Sequence, residues 1–136
     1  MYSRSIYYTF TLSEIEQLSE YMNEMRNAPN IEELMIIEAQ ARQQYYASFN
    51  IILKQESFFF EKRTRRPPKD AINALISFGN TLLYNFVLQA IWKTSLDPRI
   101  GIIHATTNRN YSLNLDFADL FKPFIVDRVI FSLVNL

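Results

Sequence analysis

Residues 70–94 read DAINALISFGNTLLYNFVLQAIWKT, and this stretch decides the fold class. Asp70 can cap a helix that opens at Ala71, and nothing stops that helix before about Thr94. Its apolar residues (Ile72, Ile76, Leu83, Phe86, Ile91 and Trp92 among them) lie nearly all round, which predicts a central buried helix. Asn73, Ser77 and Asn80 fall along one side and need partners if they are buried. The rest of the composition agrees with a helical chain. Gly79 and Gly101 are the only glycines, too few for an all-β fold with many hairpins. The same scarcity rules out glycine-rich phosphate loops, and with them P-loop and dinucleotide-fingerprint enzymes. The expected fold is all-α, an irregular multi-helix bundle.

Towards the N-terminus lies Ser57 to Asp70, in which three phenylalanines run into EKRTRRPPKD. Pro67 and Pro68 forbid helix and favour an extended loop. Arg63, Arg65, Arg66 and Lys69 on such a loop suit contact with phosphates, although most charge runs are solvated faces. Further back, Asn30 with Glu33 signals a helix to about Gln55, with an apolar stripe through Ile31, Leu34, Ala41, Tyr45, Ser48 and Ile52. Glu38 sits inside that stripe, where a carboxylate needs a metal or a cation such as neighbouring Arg42. Thr11 with Glu14 forms a capping box that opens a helix to about Arg26.

Towards the C-terminus, Asp97-Pro98 ends the central helix, and a loop carrying Gly101 and His104 follows. Residues 106–110 read as an exposed polar turn. Tyr111 to Leu115 alternates like a very short extended segment, and Asn114 or Asp116 then caps a brief helix around Phe117 to Phe121. Pro123 begins a last amphipathic helix through Ile125, Val129, Leu133 and Leu136. That helix meets no stop signal and its apolar face no later partner, so a fragment of a larger protein is expected.

At 136 residues the chain fits a single domain, and with 49% apolar and 15% aromatic residues it can bury a core. Fourteen basic and fourteen acidic residues cancel, which argues against a DNA binder held by overall charge while leaving room for a local basic patch. With no cysteine, disulfides, thiolate zinc sites and cysteine nucleophiles are excluded. No signal-peptide core is present, and no apolar run approaches the ~20 residues of a membrane span, so the cytoplasm is the expected setting.

His104 is the chain's single histidine. Together with Glu38 and Asp119 it would supply one imidazole and two carboxylates, a donor set suited to magnesium or manganese. Such an ion polarises a phosphodiester and activates an attacking hydroxyl or water. Asp116, three residues before Asp119, could be a further ligand, a partner of His104, or a helix cap. Spacing alone does not bring Glu38 to the others.

Three blocks carry a family resemblance: ELMIIEAQARQQYYASF at 33–49, RRPPKDAINALISFGNTLLY at 65–84 and LDPRIGIIHATTNRNYSLNLDFADLFKPFIVDRVIF at 96–131. In order and spacing the chain resembles the helical catalytic domain of the CRISPR-associated integrase–endonuclease. The resemblance implies a metal-dependent DNA endonuclease and integrase that inserts new spacers into a CRISPR array by transesterification. It implies Mn2+ or Mg2+ held by Glu38, His104 and Asp119, with Asp116 beside the site as a fourth catalytic position. It also implies DNA contact by the 63–69 loop, homodimerisation, and a small ferredoxin-like partner subunit. Asn80 departs from a tyrosine common in relatives, and Ser95 from a glycine. The family's N-terminal β-rich domain and terminal helices are absent from this chain. Two alternatives use the same residues differently: a related DNA transposition integrase, and a non-catalytic helical interaction domain.

Overall fold

In a computed structural model, residues 11–104 and 111–136 are described. All their regular structure is helical, with no strand among them, as an all-α chain requires. They form two compact units, one of residues 11–64 with 134–136 and one of residues 65–104 with 111–133.

The first unit begins with α1 (Leu12–Arg26) and α2 (Ile31–Ala47), which pack on each other. Both capping signals operate. The Glu14 carboxylate accepts the Thr11 amide at 2.8 Å and its hydroxyl at 3.0 Å, and Asn30 accepts the Glu33 amide at 2.8 Å. Helix α2 does not run on to Gln55. At its end the Ser48 hydroxyl donates back to the Gln44 carbonyl, and only the short α3 (Phe49–Ile52) follows. Two asparagines explain the stop. Asn50 holds both the amide and the carbonyl of Phe60, and Asn135 holds the Ile52 carbonyl and the Lys54 amide. The Asn135 clasp occupies backbone groups that a helix running to Gln55 would have paired within itself, and the Asn50 clasp folds the chain back at Phe60. Phe60 is thereby returned to Phe49 and Tyr46, with ring centroids 5.4 and 5.8 Å apart, and both phenylalanines are fully buried.

The second unit is built on α4 (Ala71–Ile91), α5 (Ser112–Phe121), a π-helical turn (Lys122–Asp127) and α6 (Arg128–Val134). Asp70 caps α4 as expected, accepting the Asn73 amide at 2.7 Å and its side-chain amide at 2.6 Å. Helix α4 buries one face, through Ile72, Ile76, Asn80 and Leu83, and it packs on α5 and the π turn. It is not buried all round, because Phe78 and Phe86 are about two-thirds exposed. Asn80 does not find the partner its burial demands: its Oδ1 is buried with no hydrogen bond among the described residues. The helix also corrects the sequence reading that no run approaches a membrane span. At 21 residues and a mean hydropathy of 1.3 it meets that length and composition, as core helices also do.

The extended segment expected at Tyr111–Leu115 is instead the first half of α5, with Tyr111 at its N-cap. The alternation there is coincidental, since Ser112, Leu113 and Asn114 are all buried in succession. The start is fixed from outside the helix: the Leu113 amide, one of the first-turn donors, reaches the Pro98 carbonyl at 3.1 Å. Pro123 lacks the amide an α-helix would use, and the chain widens into the π turn before α6 resumes. The stripe expected to lack a later partner, Ile125, Val129 and Leu133, is about half exposed. A second apolar face, Val126, Ile130 and Phe131, is buried.

Candidate functional site

His104 ends the loop that leaves α4, and α5 determines where it lies. Asp116, one turn into α5, accepts the amides of Ile102 at 2.5 Å, Ile103 at 3.1 Å and His104 at 3.1 Å. Its Oδ1 also lies 2.6 Å from His104 Nδ1. The Asp116 side chain is only 7% exposed, so these groups take the place of water. Burial works to raise its pKa. The bond from the His104 ring and those from the amides of Ile103, Ile102 and His104 outweigh burial and hold the carboxyl below its ordinary value of 3.8.

An ionised carboxylate only accepts hydrogen bonds, so Nδ1 carries the proton in this contact. The lone pair of the neutral ring is then on Nε2. A carboxylate that fixes one imidazole nitrogen while the other is presented to an ion is a recurring arrangement at metal centres. Of the three roles open for Asp116, the contacts observed are those of a partner of His104 and a holder of its loop. It is not the helix cap, because α5 already begins at Ser112.

The other two candidate ligands each have a cation one turn away. Glu38, in the first unit, is paired with Arg42 and is about a third exposed. Asp119, in the second unit, is paired with Lys122, whose ammonium also lies 4.9 Å from the Tyr84 ring centroid. Among the described residues, neither unit gathers three or more aspartate, glutamate or histidine side chains into a group able to hold an ion. The donor set nevertheless has the right chemistry for an oxygen-preferring divalent ion. By residue type it comprises one imidazole and two carboxylates, the latter paired with Arg42 and Lys122.

In the basic loop Arg65, Arg66 and Lys69 are exposed, while Arg63 is half-buried and donates to the Thr64 carbonyl. Pro67 and Pro68 are exposed and non-helical, as expected. The polar turn expected at 106–110 lies outside the described residues.

Sequence reasoning missed the residues that hold the loop. Ser112, fully buried, donates its hydroxyl to the Arg99 carbonyl at 2.6 Å. Gly101 packs directly on Ser112, and a Cβ added there would stand 2.5 Å from the His104 carbonyl oxygen. The scarcity of glycine pointed at Gly101, whereas nothing in the sequence marked Ser112. Lys122 could have been found from its i, i+3 spacing to Asp119.

The sequence model of the family described as CRISPR associated protein Cas1 matches residues 3–136. A CRISPR-associated endonuclease Cas1 of Thermodesulfovibrio yellowstonii is 54% identical over 125 residues, covering 91% of this chain and 38% of the relative. One from Thermotoga maritima is 52% identical over 120 residues, covering 88% of this chain and 38% of the relative. The chain thus spans well under half the length of these relatives. Among solved structures, a CAS1 protein from Thermotoga maritima superposes with a TM-score of 0.82 at 52% identity, over 88% of this chain and 38% of that one. A chain of a Cas6-RT-Cas1–Cas2 complex gives 0.83 at 28% identity, over 91% and 13%.

Proposed function

The chain belongs to the CRISPR-associated protein Cas1 family, and from that premise we propose that it provides the metal-binding residues of a DNA endonuclease and integrase that acts in spacer acquisition. The observation that carries the reading is the His104–Asp116 contact, which leaves Nε2 as the donor nitrogen. Glu38, His104 and Asp119 would hold Mn2+ or Mg2+. When bound, the ion supplies Lewis-acid polarisation of a phosphodiester and activation of an attacking 3′-hydroxyl or water. Asp116 keeps the imidazole oriented and fixes its proton on Nδ1. Arg42 and Lys122 neutralise the charge of Glu38 and Asp119 until an ion takes their place. Arg63, Arg65, Arg66 and Lys69 would neutralise DNA phosphates without reading sequence. The relatives, CRISPR-associated endonucleases by name, and a structural neighbour from a complex that contains Cas2 support a DNA substrate and a Cas2-like partner. Homodimerisation of the longer protein belongs to the same proposal.

The test is nicking of branched DNA and strand joining by the full-length protein with manganese or magnesium. Glu38→Ala, His104→Ala and Asp119→Ala should each lower the rate by more than about 100-fold, beyond the 10–100-fold typical of losing an outer partner of a ligand. Wild-type rates in Glu38→Ala or His104→Ala would refute the assignment.

A further inference from the structure

The loop from Asp97 to His104 is fastened to the first turns of α5 at two places. Near its start, the Ser112 hydroxyl donates to the Arg99 carbonyl at 2.6 Å and the Leu113 amide to the Pro98 carbonyl at 3.1 Å. At its end, Asp116 gathers three amides and the ring nitrogen of His104. Between the two fastenings Gly101 lies flush on Ser112. An added Cβ would stand 2.8 Å from Ser112 Cβ and 2.9 Å from its Oγ, closer than real Cβ atoms approach.

Ser112 therefore meets two demands at once. It must be small enough to admit the loop at Gly101, and it must carry a donor, because its hydroxyl is what ties the Arg99 carbonyl to α5. Alanine satisfies only the first demand, and larger residues fail it. We propose that Ser112 is a positioning residue for His104. Through Gly101 and the loop backbone it sets the register in which the loop meets Asp116, and so which imidazole nitrogen is presented to a ligand. The proposal rests on the reading of His104 as a metal ligand, but its first test needs no metal.

Because the chain contains one histidine, nitrogen-15 spectra of the labelled metal-free chain report that ring alone. The parent chain should show the neutral ring as the Nδ1–H tautomer. In Ser112→Ala the signals should shift towards a mixture containing Nε2–H, and manganese affinity, followed by electron paramagnetic resonance, should fall about 10–100-fold. Gly101→Ala pushes the same contact from the loop side and should shift the tautomer in the same direction, so it serves if Ser112→Ala does not fold. Ala118→Gly, at a fully buried position of α5 that makes none of the hydrogen bonds to the loop described above, should lower the melting temperature and leave the tautomer unchanged. A pure Nδ1–H tautomer in either loop variant while folded overturns the proposal. An equal tautomer shift in Ala118→Gly also overturns it, because the signal would then report stability alone. Unchanged manganese binding in His104→Gln refutes the metal reading instead, and leaves the tautomer comparison standing as the test of Ser112.

Discussion

Both oxygens of Asp116 are engaged, by three consecutive amides and one imidazole nitrogen. Asp116→Asn keeps the shape but replaces one acceptor oxygen by a donor, which leaves a buried N–H facing another N–H. The expected cost is roughly 1–3 kcal/mol, seen as a lower melting temperature with unchanged helix content. The same carboxyl gives a pH signature. Its pKa lies below the ordinary 3.8, so the fold favours the ionised form. Its contribution is complete above about pH 4 and drains away as pH falls through the depressed folded value. Parent and Asp116→Asn should therefore differ most near neutrality and converge in acid, and a constant difference across that range would contradict the account. The sequence identified the chemistry here and left the role of Asp116 open. Choosing among ligand, partner and cap required the path of the 97–104 loop. That path depends on a tight Gly101–Ser112 contact that spacing does not encode.

Helix boundaries followed local signals where the signals were local. Thr11 with Glu14, Asn30, and Asp70 all cap the helices they were expected to cap. The misplaced boundaries have distant causes. Asn135 and Asn50 end the α2–α3 run, and the Pro98 carbonyl starts α5 early. Periodicity also could not tell which apolar face of the last helix is buried, because both faces are apolar. The packing of α4 on the π turn offers its own check. A Cβ on Gly79 would stand 2.5 Å from Val126 Cγ1, and Val126 is buried and stiff about its first torsion. Gly79→Ala gains ~1 kcal/mol of helix propensity and loses ~1–3 kcal/mol to overpacking, so a net fall in stability is expected. Val126→Ala in the same chain should recover most of that loss in a denaturant titration. A stabilised single variant would show that the two elements do not meet as closely as described.

At the scale of the whole molecule, composition settled the helical class, and the family resemblance selected Glu38 and Asp119, which no periodicity could join to His104. The net charge of zero hid one concentrated basic segment. If Arg65 and Arg66 contact phosphates, the logarithm of DNA affinity should fall steeply with the logarithm of salt. Neutralising both should reduce that slope by roughly 1.8, at about 0.9 per phosphate contact. An unaltered slope would assign the loop to solvation. The central claim, a divalent ion on an imidazole oriented by Asp116, is tested most directly by anomalous scattering from crystals of the full-length protein grown with manganese. The account predicts one manganese peak ligated by His104 Nε2, with the carboxylates of Glu38 and Asp119 completing the protein ligands and Asp116 still on Nδ1. A peak on Nδ1, or one held by Asp116 in place of Asp119, would contradict it.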